Sequence, residues 1–138
     1  MRRGWGHERV WGASLATAVL LAGNVAAFAQ GTFPFDLEML LDARPLPGSR
    51  RVPILEIGAD GRAQVDLWCR SGAAEVVVSG TSIKFTLGTL RENNCTPERA
   101  RRDEDLAAAL TQVTAWRVAD DTVTFIGPTE LRFRLSSH

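Results

Sequence analysis

The sequence has no tyrosine, two cysteines, two histidines and no surplus of either charge, with 16 basic and 16 acidic side chains in 138 residues. Each shortage excludes something. Without a basic excess there is no stripe able to capture nucleic acid by counterion release, and no polybasic patch for a membrane surface. The histidines are His7, in a segment that reads as removable, and His138, beside Ser137 at the carboxyl end, so no serine triad can be assembled. A zinc site would lack ligands, and no Cys-x-x-Cys pair is present. Gly58, Gly61, Gly72, Gly80 and Gly88 are scattered between strands without the lysine and spacing of a phosphate loop. Asp103, Glu104 and Asp105 are consecutive, so they spread around a helix instead of converging as an acid/base pair. No catalytic residue, cofactor or metal is expected, and the length allows one small domain.

Long apolar runs are also missing. The longest, residues 13–22, is interrupted by Gly23 and Asn24 before it reaches the ~20 residues of a spanning helix. Arg2, Arg3 and Arg9 precede it, and Ala27-Phe28-Ala29 follows with small side chains at the two positions a signal peptidase reads. An export signal over residues 1–29, cleaved after Ala29, is expected, with a single domain over 30–138. The adjacent arginines do not bring the other residues of a twin-arginine signal, and no lipoprotein cysteine follows the apolar run. Loss of Arg2, Arg3, Arg9 and Glu8 leaves 13 basic and 15 acidic side chains, a nearly neutral chain in the periplasm or outside the cell. There, an even number of cysteines favours a Cys69–Cys95 bridge over free or reactive thiols. Closing that loop is worth about 3.5 kcal/mol in the chain-entropy model.

What remains is rich in alternation. Phe33, Phe35, Leu37, Met39 and Leu41 fall at every second position, predicting a strand over 31–41, with a short helix over 37–42 as the other option. Pro45, Pro47 and Gly48 make 44–49 a loop. Residues 52–57 and 62–68 flank an Asp60-Gly61 turn, the clearest hairpin, which directs Cys69 inward and Trp68 outward. A second hairpin is predicted from 75–78 and 82–87 about Gly80, followed by a loop over 88–94 that delivers Cys95. Thr96-Pro97-Glu98 then reads as a helix start: a capping hydroxyl, a proline in the first turn and an acid at the positive dipole end. The helix should run to about Val113, with Leu106, Leu110 and Val113 as its apolar stripe. Its charged residues, Asp103 among them, read as a solvated face carrying the pairs Glu98–Arg102 and Arg101–Asp105.

Three closing strands are predicted over 114–118, 122–126 and 131–135. Arg117, Arg132 and Arg134 fall on their outer face, a possible partner-binding surface for an acidic protein. The competing reading is that strand arginines keep that face soluble and discourage edge pairing.

The order Val52-Pro53-Ile54-Leu55-Glu56-Ile57, Asp60-Gly61-Arg62, Cys69, Ile83-Lys84-Phe85, Cys95, then helical Glu104, Leu106 and Leu110, and finally residues 116–125 and Leu131-Arg132-Phe133, resembles the META domain family, HslJ-like, over about 35–135. The family's Gly-Cys-Asn is Trp68-Cys69-Arg70 here, and Glu92-Asn93-Asn94 stands where small and hydroxyl-bearing residues usually precede the second cysteine. The resemblance implies a disulfide between Cys69 and Cys95. It also implies an α+β fold, a small curved antiparallel sheet or partly open barrel packed on one helix. Further, it implies an envelope protein associated with stress tolerance, antibiotic resistance, motility and secretion, without an established catalytic role. Likeness of this fold to the lipoprotein pilots of secretion systems points toward binding. The expectation is therefore a noncatalytic, monomeric periplasmic module that binds an envelope protein or a small hydrophobic ligand between sheet and helix. The alternative is an exported inhibitor that blocks a cell-wall hydrolase or protease with loop 88–94 or 44–51.

Overall fold

The structure, a computed structural model, describes residues 31–137 together with 4, 12 and 16–19. The expected export signal, with its cleavage residues Ala27 and Ala29, and His138 lie outside the described residues, apart from those few isolated positions. No helix among the described residues is long and apolar enough to cross a membrane.

Among the described residues nine strands and one helix follow each other: β1 Glu38–Leu41, β2 Ile54–Ile57, β3 Arg62–Asp66, β4 Arg70–Ser79, β5 Ser82–Leu87, β6 Arg91–Glu92, α1 Pro97–Thr111, β7 Ala115–Ala119, β8 Thr122–Ile126 and β9 Leu131–Leu135. They form one antiparallel sheet in the order β3-β2-β1-β9-β8-β7-β5-β4-β6. A further pairing of β3 with β4 bends the sheet into a ring. The ring is thinnest where β5 meets β7, through the single register pair Ser82↔Ala115. Bonds from Ile83 N to Thr114 O (3.1 Å) and from Trp116 N to Thr81 O (3.0 Å) flank that seam. The fold is α+β, a partly open barrel with α1 packed against it.

Alternating side chains of the strands fill the interior. Phe85, Phe125 and Phe133 form an edge-to-face chain with centroids 5.3 and 5.5 Å apart, surrounded by Met39, Leu55, Ile57, Val65 and Val123. Trp116 stacks edge-on to Phe33 at 5.0 Å, and its indole Nε1 donates to Gly80 O at 2.9 Å, which satisfies its one buried polar atom. From α1, Leu106 and Leu110 enter this core. The helix starts as its sequence dictates: Thr96 is extended, and its Oγ1 accepts from Arg99 N at 3.3 Å. It ends at Thr111, short of the predicted Val113, whose side chain is buried beyond the helix end.

Three sequence readings need correction. The strand predicted over 31–41 begins only at Glu38, because Asp36 adopts φ 62° and breaks the extended run; neither the long strand nor the optional helix forms. Leu37 lies ahead of the ladder and is exposed, while Phe33 is buried through Trp116. The strand predicted over 62–68 stops at Asp66, and β4 starts at Arg70, five residues before its predicted start. Between them the chain turns tightly, with Leu67 N donating to Arg70 O at 2.7 Å. Finally, the predicted loop 88–94 contains β6, which pairs with the start of β4 through Arg70↔Glu92 and Ser71↔Arg91. Gly72 permits that approach, since a Cβ there would stand 2.6 Å from Thr89 O.

Candidate functional site

The tight turn at residues 67–70 organises one end of the barrel. Its backbone amides cannot join a ladder, and a helix side chain receives them instead. Asp103 is fully buried; its Oδ1 accepts from Trp68 N at 2.7 Å, and its Oδ2 from Cys69 N and Arg70 N, both at 2.9 Å. Three consecutive amides converging on a carboxylate compensate a charge that would otherwise be costly to bury. Asp103 therefore does not belong to the solvated face predicted for it. Nor do Glu98 with Arg102, or Arg101 with Asp105, form ion pairs among the described residues; the helix acid that does pair is Glu104, with Arg70 at 3.6 Å.

The disulfide fixes the same turn from the other side. Cys69 and Cys95 are bonded, with Cα atoms 5.3 Å apart, so the turn is tied to the residue preceding the helix cap. Asn93 N adds a bond to Cys69 O at 2.8 Å. Both sulfurs and Asp103 lie within 4.8 Å of one another, a spacing that could suit a metal. The bonded sulfurs offer no thiolate, however, and the carboxylate is engaged by amides. The contact of Cys69 Sγ with Asp103 Oδ2 at 3.2 Å is a packing contact, because a disulfide sulfur carries no hydrogen.

Against this floor lies an open cleft of about 410 Å³. Loop residues Ser49 and Arg51 form one wall, the turn with Trp68 and Arg70 another, and Asn93 and Arg99 close it on the helix side. Arg70 is mostly buried; its Nη2 bonds Glu92 at 2.7 Å, while its buried Nε has no partner. Among the described residues the Arg99 guanidinium donates only a long 3.4 Å bond to Pro47 O, and Arg51 forms no ion pair. Asp66 is the one carboxylate in the lining.

The arginines singled out by sequence alternation occupy a different face. Arg117 and Arg132 stand on either side of Thr124, through the pairs Arg117↔Thr124 and Thr124↔Arg132, as strand alternation requires. Both reach Glu130 Oε1, at 3.4 and 3.5 Å. Arg134 turns to Asp42 at 3.4 Å. All three keep about half or more of their side chains exposed, but each has an acidic neighbour.

Sequence reasoning missed Asp103, Arg51, Arg70 and Arg99 as a group. Only Asp103 carried a signal: it shares helical spacing with Leu106 and Leu110, the stripe that enters the core. The arginines come from three separate elements and meet only in the fold.

The sequence matches the META domain family over residues 32–136. The chain belongs to that family. Among functionally curated proteins no match was found. A structure solved by NMR and described only as that of "the protein" superimposes on this META domain with a TM-score of 0.55 at 12% identity, covering 72% of this chain and 89% of its own. At that identity the likeness concerns the fold alone.

Proposed function

We propose that this META-domain chain is an exported, noncatalytic binding module that engages an envelope partner through the cleft beside the Cys69–Cys95 bridge. The observation that carries this reading is the turn at 67–70, held rigid by a buried carboxylate and a disulfide and opening onto a polar cleft lined by arginines. Pre-organised walls lower the ordering cost of binding. A disulfide in a small domain fits an oxidising compartment, which supports the periplasm or the exterior. The noncatalytic part of the reading is supported by the cleft's described residues, where the buried Asp103 carboxylate is taken up by three amides and Asp66 is the one carboxylate in the lining. A hydrophobic ligand between sheet and helix has its own place, a groove of about 520 Å³ lined by Leu41, Leu106, Ala109 and Leu131; the polar cleft is preferred because the fixed turn and the arginines meet there. The inhibitor reading is weakened at 88–94, where β6 is paired into the sheet. Loop 44–51 stays open to it, since Ser49 and Arg51 edge the cleft.

The test is a photo-reactive side chain placed at Ser49 in the exported protein, with Val77, exposed on the outer sheet face, as control. A discrete adduct from the Ser49 position and none from Val77 is expected. Identical adducts from both positions, or none from Ser49, would refute the proposal.

A further inference from the structure

We infer that the ligand class recognised in this cleft is a small sugar bearing an oxyanion, phosphate or carboxylate, an inference that rests on the binding-module reading above and specifies it. Three guanidinium groups line a concavity of about 410 Å³ against one carboxylate, Asp66. Two of the three, Arg51 and Arg99, have no acidic partner among the described residues. The third, Arg70, holds Glu92 and Glu104 through its terminal nitrogen and adds its charge to the wall without a free fork. Guanidinium forks such as those of Arg51 and Arg99 are satisfied best by planar or tetrahedral oxyanions. This arrangement separates the cleft from the Arg117, Arg132 and Arg134 face, where Glu130 and Asp42 already accept.

The rest of the lining argues for a sugar over a bare ion. Trp68, Ser71 and Asn93 are among the lining residues, types that can meet the ring face, the hydroxyls and the ring oxygen of a sugar, and the lining is more polar than apolar. The volume exceeds what a lone phosphate fills and falls in the range of small-molecule sites. The floor is set before binding, because Trp68 and Arg70 donate their backbone amides to the buried Asp103, and Cys69 between them is tied to Cys95.

The experiment is an amide-resolved NMR titration of the oxidised, full exported chain with glucose 6-phosphate, glucuronate, glucose and inorganic phosphate. The first two probes separate the two sources of negative charge. Expected are shifts confined to residues 49–51, 66–71 and 93–99 with at least one charged sugar. Glucose and inorganic phosphate should each bind at least about tenfold more weakly than that sugar. Arg51→Ala, at an exposed position, and Arg99→Ala, at a half-buried one, should each weaken binding by about tenfold or more while leaving the spectrum outside the cleft and the 44–51 loop unchanged, the scale of one charge-assisted contact. No shift with either charged sugar, shifts located elsewhere, equal binding of glucose or inorganic phosphate, or undiminished binding in the two variants would overturn the inference. If the Ser49 adduct persists while the titration fails, the sugar inference falls and the binding module stands. Loss of both removes both.

Discussion

Replacing Asp103 with alanine withdraws the acceptor from three backbone amides at once, and the enclosed turn leaves little room for water to substitute. The expected loss is about 3–5 kcal/mol, the scale of breaking a buried charged network. Urea unfolding with an unchanged slope checks it, and a loss below about 1 kcal/mol would show that the carboxylate does not organise the turn. Asp103→Asn keeps the volume but points an NH₂ group at one set of amide donors, so it should recover less than half of that loss. The importance of this residue could be read from its position: Asp103, Leu106 and Leu110 share one helical face, so an acid on the apolar stripe had to be buried with partners. Its charged neighbours at 101–105 obscured that spacing. The arginines of the cleft could not be read so, because no periodicity links a loop, a turn and a helix. Arg117 and Arg132 were visible because strand alternation alone puts them on one face.

At the scale of elements, the Thr96 cap is the local feature with the clearest consequence. Thr96→Ala should cost about 1 kcal/mol by removing the acceptor for Arg99 N. Thermal unfolding reads this, and an unchanged midpoint would contradict it. Gly72→Ala tests the junction of β4 with the segment 89–92. The new methyl would meet Thr89 O and the Leu90 side chain within 3.0 Å, and overpacking of this kind costs about 1–3 kcal/mol. A variant as stable as the parent would show that residues 89–90 give way freely. Hairpins were the most legible elements, since Asp60-Gly61 and Asp120-Asp121 supply left-handed residues where the strands reverse, with Gly61 at φ 83° and Asp120 at φ 55°. The element boundaries that escaped were set at a distance. The end of β3 depends on a helix carboxylate reached 35 residues later, and β6 exists because the start of β4 offers it an edge. At the amino-terminal end, alternation of Phe33 through Leu41 mimicked a long strand, yet a single left-handed Asp36 divides it.

For the whole molecule, the disulfide and the buried carboxylate act on the same turn, so their contributions should not add. Replacing Cys69 and Cys95 together with alanine should cost about 3.5 kcal/mol by the loop-closure model. Asp103→Ala introduced into that background should then cost at least about 1 kcal/mol less than in the oxidised protein. A double-mutant cycle in urea measures this, and strict additivity would mean the two devices hold different parts of the fold. The ring of strands, closed by β3 with β4 and thin between β5 and β7, leaves the 67–70 turn as a rigid rim, on which the proposed binding surface is built. The proposed binding role requires an exported, oxidised module, and intact-mass analysis of protein recovered from the cell envelope, with and without reduction and alkylation, tests that most directly. The predicted result is a chain beginning at Gln30, two hydrogens lighter than its reduced form; a chain retaining its amino-terminal segment with both thiols free would contradict it.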